Sequence, residues 1–270
     1  MRLLDIKEIQ SMQLVLMKKI HVFLQENNIR YYLLAGSALG AVRHNGFIPW
    51  DDDIDIGMPR KDYEKFIKLS NAFEGYEIEN FHNSNHCDYL LTRIYIPNTY
   101  VDNKIISKTN LNKKLYFDVF PLDNVPKNEK ERIKFEKKIY SKKLLIARID
   151  VRDNGNSKIV MLAKRIVSFI LKPFRNRILK NVDKLMRKYE DETTSLICSL
   201  SSQYSFKKQV MPKSFYGTPT IHAFEDSEFY IPEKVEDYLA TLYGDNYMEV
   251  PPVDKRRPIP IVYYIDEENN

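Results

Sequence analysis

Apolar side chains in the first half of the chain repeat at two different spacings. Steps of three or four residues from Ile9 to Phe23 predict a helix over residues 5–28, and a similar pattern predicts another over 60–70. Short apolar runs bounded by turn-forming residues predict strands over residues 31–34, 53–58, 76–81, 89–96 and 115–120. Because helices and strands alternate, residues 1–125 are predicted to form one compact unit of mixed α and β structure.

The second half of the chain has a different pattern. Residues 127–149 predict a lysine-rich helix, and residues 150–157 predict a polar turn. Residues 158–189 carry ten Lys or Arg and one acid around an apolar run, and Pro173 must interrupt any helix there. The tail after residue 210, rich in Pro and Tyr, is expected to be irregular. These changes predict three parts: a core at 1–125, a basic helical region at 126–210, and a segment at 211–270 that packs back on the core.

Composition narrows the class of protein. Of the 270 residues, 43% are hydrophobic and 12% aromatic, which is enough to build a core. The net charge of +5 permits an anionic partner, but no nucleic-acid-binding motif accompanies it. Two cysteines cannot form a zinc site alone, and they suit a reducing compartment at least as well as one disulfide. With no secretory signal pattern and no run of eighteen apolar residues, we expect a cytoplasmic protein, either free or peripheral at the inner membrane face.

Four aspartates lie within five positions, residues 51–55. On a strand, Asp53 and Asp55 project from one face, while Ile54 and Ile56 point into a core on the other. Two adjacent carboxylates repel each other unless a cation neutralises them. Mg²⁺ held by a few carboxylates and by substrate phosphates is the common solution. The alternative is a solvated acidic turn.

A small-residue turn, Gly36-Ser37, precedes this acidic strand by about sixteen residues. Ser37 is suited to cap a short helix over 38–44, which Asn45-Gly46 would end. Glycine allows a ligand to approach the backbone, and a helix N-terminus offers unpaired N–H groups to phosphate. The pair therefore predicts a phosphate-binding turn near the metal site, with an ordinary strand-to-helix turn as the alternative.

A third acid is expected where two carboxylates support phosphoryl transfer. Asp118 lies in the apolar segment LYFDVFPLD, residues 115–123, where an unpartnered carboxylate is costly. It is predicted either to bind metal or to serve in a buried salt bridge or helix cap. Asp123, at the end of this segment, is expected to be a turn residue.

These motifs together resemble one protein family. The string GAVRHNGFIPWDDDIDIGMPRKDYEKF, residues 40–66, closely resembles the LicD family, which includes bacterial phosphocholine transferases and is related to fukutin-type ribitol-phosphate transferases. FDVFPLD, residues 117–123, and YLATLYGDNYMEVPPVDKR, residues 238–256, resemble its third-acid segment and its C-terminal motif. The resemblance implies an α+β fold with a nucleotidyltransferase-like mixed β-sheet flanked by helices, a basic helical insertion and a C-terminal extension.

The resemblance also implies Mg²⁺-dependent transfer of a phospho-alcohol from a CDP-activated donor to a hydroxyl of a cell-surface glycan or its lipid-linked precursor, with release of CMP. Asp53 and Asp55 correspond to the family's metal-binding pair, bound to one or two ions. Asp118 corresponds to the third acid, which would ligate metal and accept the proton of the attacking hydroxyl. Gly36 and Ser37 correspond to the turn that holds the donor phosphate.

Five further residues are candidates for donor binding. Arg43 and Arg60 are each expected either to bind phosphate or to form a structural salt bridge. Lys255 and Arg256 are predicted to close over the donor. Trp50 is predicted to stack on a base, to contact a choline ammonium by a cation–π interaction, or simply to pack.

The sequence departs from the family pattern at two points. Family members often have a histidine after the final Lys-Arg, where this chain has Arg257 followed by Pro258. The zinc site found in fukutin-type relatives is excluded in the same form, because the chain contains only Cys87 and Cys198.

Several alternatives stay open at this point. The transferred alcohol is choline, ribitol or glycerol, with choline favoured. The alternative functions are a true nucleotidyltransferase that releases pyrophosphate and a non-catalytic scaffold with the same fold. Residues 158–189 are predicted either to cover the core as a solvated helical pair or to contact an anionic membrane surface peripherally. Nucleic acid is not an expected partner.

Overall fold

The computed structural model describes residues 1–84, 87, 89–102, 113–149, 157–191 and 194–265. Its helices are α1 (Ile6–Glu26), α2 (Ala35–His44), α3 (Arg60–Leu69), α4 (Glu129–Ile149), α5 (Lys158–Leu171), α6 (Arg175–Met186), α7 (Phe206–Gln209), α8 (Lys213–Tyr216) and α9 (Val235–Tyr243). Its strands are β1 (Arg2–Leu3), β2 (Tyr32–Leu33), β3 (Asp55–Pro59), β4 (Glu77–Glu79), β5 (Thr92–Tyr95), β6 (Thr99–Asp102), β7 (Tyr116–Val125), β8 (Leu196–Cys198), β9 (Met211–Pro212), β10 (Thr220–Phe224), β11 (Ser227–Ile231) and β12 (Ile261–Tyr264).

The first helix begins where a local sequence signal places it. The Asp5 side chain accepts a hydrogen bond from the Glu8 N–H, and the Glu8 side chain accepts one from the Asp5 N–H. This reciprocal capping box satisfies two N–H groups that a helix otherwise leaves unpaired. One face of α1, which includes Ile9, Leu16 and Ile20, is buried in the core. The helix predicted over 5–28 is therefore confirmed to within two residues at each end.

The central sheet is mixed. Its strand order is β2-β3-β7-β5-β4, with β3 parallel to β7 and the other pairs antiparallel. The ten-residue β7 continues past β3 and pairs with β8 through its last residues, Asp123–Val125. Asp123 is thus a strand residue, and the turn predicted for it is wrong. Helices flank this sheet, so the predicted α+β fold with a mixed sheet is confirmed.

The C-terminal segment is regular, contrary to the irregular tail predicted after residue 210. It contains the antiparallel β10–β11 hairpin, helix α9, and strand β12, which pairs with both β1 and β6. Phe224, Tyr238 and Val262 from these elements are buried in the same core as α1 and the sheet. Its short elements are stabilised by partners from far along the chain.

A second, smaller core lies beside the first. It is formed mainly by α4 and α6, with Phe135 and Ile139 packing near Leu179 and Val182. Pro173 lies in a single 3₁₀ turn, Lys172–Phe174, that separates α5 from α6, as its ring chemistry predicted. Most of the turn predicted over 150–157 lies outside the described residues. Among the described helices, none is both long and apolar enough to cross a bilayer.

Candidate active site

A cavity of about 710 Å³ opens between the sheet, helix α2 and the C-terminal segment. Its walls include acids from β3, β7 and the loop before β3, aromatic residues from the segment before β5, from β7 and from α9, and a basic cluster at residues 255–257. Of the residues predicted to be functional, the cavity brings together Gly36, Arg43, Trp50, Asp53, Asp55, Asp118, Lys255 and Arg256. Ser37 lies just behind this wall, and Arg60 lies elsewhere.

The acidic side of the cavity is built on two parallel strands. Asp55 is the first residue of β3, and its Cα is paired in register with that of Asp118 on β7. Asp53 lies two residues before β3, in an irregular segment, so strand alternation does not place it as predicted. Ile54 and Ile56 are both 0% exposed, which agrees with the core-facing role predicted for them.

Two buried glutamines on α1 hold the backbone of the acidic loop. The Gln10 amide donates to the carbonyl oxygens of Ile48 and Asp51, at 3.2 and 2.9 Å. The Gln13 amide donates to the carbonyls of Asp52 and Tyr116, at 3.3 and 2.9 Å. Sequence reasoning missed this support, although two glutamines within the buried stripe of an amphipathic helix were a visible signal.

Burial and mutual repulsion disfavour the charged form of these acids. Burial raises the pKa of Asp51 to about 7, with the charges of Asp53 and Asp52 adding to the effect. Burial likewise raises the pKa of Asp52 to about 6. The pKa of Asp55 lies well above its ordinary value, first because of burial and then because of Asp53 and Asp118. A cation bound among these carboxylates would stabilise their charged forms.

Arg93 on β5 partly compensates this charge. Its Nε donates to Asp118 Oδ1 at 3.0 Å, and its guanidinium lies between the rings of Tyr89 and Tyr116, 4.2 and 4.0 Å from their centroids. Burial raises the pKa of Asp118 to about 6, and Arg93 opposes that rise. The salt bridge that was one alternative for Asp118 is therefore present, inside the cavity. Sequence reasoning did not identify Arg93.

Helix α2 contacts the acidic loop directly. A Cβ atom added at Gly36 would lie 2.5 Å from Asp51 Oδ2, so only glycine allows this approach. The Ser37 hydroxyl accepts a hydrogen bond from the Asp55 N–H at 2.8 Å, which ties α2 to the start of β3. Ser37 lies inside α2 and does not cap it, because the helix begins at Ala35. The helix cap predicted at Ser37 is therefore wrong.

Basic residues also line the cavity. The Arg256 guanidinium lies 4.0 Å from the centroid of the Trp50 ring, so this chain itself supplies a cation to that ring. Lys255 and Arg257 line the cavity beside it. The charge of Arg257 lowers the pKa of Asp53, against the larger effect of burial. Arg257 was noted in the sequence only as a departure from the family pattern.

Arg43 has a structural partner as well as a place in the cavity wall. Its Nη1 donates to the carbonyl oxygens of Tyr247 and Glu249, at 2.9 and 3.0 Å. Its Nε donates to the ring of His44, the last residue of α2. Arg43 thus anchors the segment that follows α9 beside the cavity.

Arg60 is not brought to the cavity. It is 4% exposed and forms two hydrogen bonds with Asp123, at 2.7 and 2.8 Å, and a third with Asp183 at 3.1 Å. These contacts join α3, β7 and α6. Of its two predicted roles, the geometry supports the salt bridge and not phosphate binding.

The acids provide the oxygen ligands that a hard divalent cation prefers, but they do not form a complete set of ligands by themselves. Among the described residues, no three His, Cys, Asp or Glu side chains are grouped so as to hold a metal ion together. Carboxylates are nevertheless the preferred ligands of Mg²⁺, which is commonly bound by one or two of them together with substrate phosphates and water. The raised pKa values of Asp51, Asp55 and Asp118 mark surplus negative charge at this position. The carboxylate oxygens that line the cavity therefore fit Mg²⁺ in their donor chemistry.

A mixed sheet that presents paired acids beside a glycine-containing helix is the arrangement of a nucleotidyltransferase-type domain. Residues 28–144 match the family described as LicD/FKTN/FKRP, nucleotidyltransferase domain. This segment of the chain therefore belongs to the LicD family, as the sequence resemblance predicted.

Comparison with individual proteins agrees with this assignment. The chain is 27% identical over 272 aligned residues to the lipopolysaccharide cholinephosphotransferase LicD of Haemophilus influenzae, covering 96% of this chain and 97% of that protein. It is 42% identical over 52 residues to human ribitol 5-phosphate transferase FKRP, covering 19% of this chain and 10% of that protein. An uncharacterised protein of Rickettsia prowazekii, RP689, is 34% identical over 115 residues, 40% of this chain and 43% of its own length.

Proposed function

We propose that this protein is a Mg²⁺-dependent transferase that moves a phospho-alcohol from a CDP-activated donor to a hydroxyl of a cell-surface glycan or its lipid-linked precursor, releasing CMP. The observation that carries the proposal is a single cavity lined both by buried acids and by Lys255, Arg256 and Arg257. This distribution suits a cation bound to a diphosphate. The near full-length similarity to a cholinephosphotransferase favours phosphocholine as the transferred group.

Asp53, Asp55 and Asp118 are the residues that would hold one or two Mg²⁺ ions. When bound, Mg²⁺ supplies positive charge that neutralises the donor diphosphate and the charge developing on its oxygens. Lys255 and Arg257, which line the same cavity, would contact diphosphate oxygens. Gly36, at the N-terminal end of α2, lines the cavity and is proposed to contact the donor phosphate through its backbone.

Asp118 is the proposed general base. A carboxylate with a pKa of about 6 accepts protons more readily than an exposed aspartate and is still largely ionised at neutral pH. It would take the proton of the acceptor hydroxyl while that oxygen forms a bond to the phosphorus bearing the alcohol. The bond from this phosphorus to the bridging oxygen breaks, and the electron pair leaves with CMP.

A cytoplasmic location is part of the proposal. Cys198 is a buried thiol, which suits a reducing compartment. Ribitol phosphate and glycerol phosphate are the alternative transferred groups, the first because of the local similarity to FKRP.

The first test is thermal unfolding with CDP-choline, CDP-ribitol, CDP-glycerol or CTP, each with Mg²⁺ and with EDTA. A ligand of the native state raises the free energy of unfolding by about 2.7 kcal/mol at roughly a hundredfold excess over its Kd. We expect a Mg²⁺-dependent rise with one CDP-alcohol. Asp53→Asn should lose the rise, whereas Asp237→Asn, an exposed residue of α9, should keep it.

The second test is product identification with the stabilising donor and glycan acceptors. Release of CMP together with a phospho-alcohol on the glycan supports the proposal. Stabilisation by CTP alone and release of pyrophosphate would instead establish a nucleotidyltransferase. If no nucleotide binds with or without Mg²⁺, the catalytic proposal is refuted in favour of a scaffold.

A further inference from the structure

Helix α5 turns its apolar side away from the protein. None of its residues is buried, although the sequence KIVMLAKRIVSFIL is one of the more apolar segments of the chain. Ile159 and Phe169 are 81% and 80% exposed. The other exposed large apolar residues of this helix are Val160, Leu162, Ile166, Val167 and Ile170. Soluble proteins rarely expose so continuous an apolar face unless something binds it.

The protein-facing side of α5 is half-buried and mixed in character. Its half-buried positions are Met161, Lys164, Ser168 and Leu171, and the Ser168 hydroxyl donates to the Ile149 carbonyl of α4 at 2.5 Å. Residues 164 and 168 are four apart and so share one face of the helix, whereas Ile159, Ile166 and Phe169 lie on the other. The helix is thus attached to the protein through α4 with its apolar stripe outward.

Basic residues border this stripe. Lys158, Arg165 and Lys172 are all exposed and follow a spacing of seven, which places them along one edge of the apolar face. No Asp or Glu occurs between residues 157 and 182. Long basic side chains can extend from the edge of an apolar face to a charged surface beside it. The charge pattern therefore complements an anionic surface with an apolar interior.

The length of α5 determines how it meets such a surface. Fourteen residues span about 21 Å, which is shorter than the hydrocarbon core of a bilayer. A helix of this length with one apolar face and a basic border lies in the interface plane. Phe174, exposed in the following turn, continues the apolar surface past the end of the helix.

We propose that α5 binds the surface of an anionic lipid bilayer, with Ile159, Ile166 and Phe169 inserted at the acyl boundary and Lys158, Arg165 and Lys172 at the headgroups. The inference stands on the geometry of α5 and does not require the transferase activity. Helix α4 connects α5 to the cavity. Lys143 of α4 donates to the carbonyls of Leu200 and Ser202, in a loop that lines the cavity.

The test is flotation of the full chain with vesicles of phosphatidylcholine alone or mixed with phosphatidylglycerol. We expect flotation with the mixed vesicles, decreasing as salt rises. The double variant Ile166→Glu, Phe169→Glu should abolish it. Replacing Lys158, Arg165 and Lys172 with Gln should weaken binding to mixed vesicles about 100-fold, since each basic residue contributes a factor of about five.

The control is Ile221→Glu, which makes the same kind of substitution once, at an exposed apolar position of β10, and should float like the parent chain. Circular dichroism and melting temperature establish that each variant is folded. Absence of flotation, or flotation unchanged by the double variant, overturns the proposal. So does a dimer of the parent chain that the double variant dissociates, because the apolar face would then bind a second copy. Equal binding to both vesicle types would overturn the role of the basic border.

Discussion

The buried acids predict an unusual dependence of stability on pH in the metal-free protein. Asp51 has an ordinary pKa of 3.8 and a folded-state pKa of about 7, raised first by burial and then by Asp53. A group whose pKa is raised in the folded state binds more protons there than in the unfolded chain. The free energy of unfolding therefore falls as pH rises through the folded pKa, and is regained as pH falls toward about 4.

The size of the effect follows from the shift. Three pKa units correspond to about 4 kcal/mol when Asp51 is fully ionised. Between about pH 8 and about pH 5, linkage gives a gain of about 2.5 kcal/mol from this residue alone. For a chain of this length such a gain raises the melting temperature by about 5–10 °C. Asp52 and Asp118 shift in the same direction, with pKa values of about 6.

The assay is thermal unfolding in EDTA across this pH range. We expect a higher melting temperature at the acidic end, and Asp51→Asn should reduce the difference by raising stability at the alkaline end, while the part due to Asp52 and Asp118 remains. Added Mg²⁺ should stabilise the parent chain more at about pH 8 than at about pH 5, because the acids are then ionised. Asp237→Asn is the control and should preserve the parent profile. A melting temperature that is flat or rises with pH, or a full pH dependence in Asp51→Asn, would refute the reasoning.

Two further predictions concern arginines. Arg60→Met should lower the free energy of unfolding, measured by urea denaturation, by about 3–5 kcal/mol, because Asp123 and Asp183 are left buried without their partner. The control Arg30→Met removes an exposed ion pair and should lower it by about 1 kcal/mol or less. Equal losses in the two variants would contradict the structural role of Arg60. Arg257→Gln should move the pH profile of the melting temperature to higher pH, because the charge that lowers the pKa of the cavity acids is lost. An unchanged profile would show that Arg257 does not act on these acids.

Local patterns in the sequence predicted the parts of the fold that local chemistry controls. The capping box at Asp5 and the amphipathic stripe of α1 are contained in neighbouring residues, so the helix boundaries were predictable. The alternation of Asp55 and Ile56 likewise predicted a strand with one buried face. The run of acids and the family resemblance identified the cavity wall before any coordinates.

Contacts between distant residues account for the errors. Ser37 looked like a cap, but α2 begins two residues earlier, at Ala35, which has a φ of +44°. Alanine rarely adopts this conformation, so no sequence rule predicts it. Its N–H donates to the hydroxyl of Tyr238, 203 positions along the chain. Arg60 similarly has its acidic partner Asp123 on another element, 63 positions away.

Contacts between distant parts of the chain also determine the distribution of charge in the cavity. Buried acids near residues 51–55 and 118 repel one another, and two of the basic residues predicted to bind the donor, Lys255 and Arg256, reach the same cavity from a distant part of the chain. A cation would stabilise the charged acids, while a diphosphate would pair with the basic residues. Bound together in this cavity, the cation and the diphosphate would add little net charge. Under the proposed function, Mg²⁺ and donor should therefore each increase the affinity for the other by the same factor, as linkage requires. Titrating the donor at several Mg²⁺ concentrations measures that factor, and independent binding of the two would contradict a shared site.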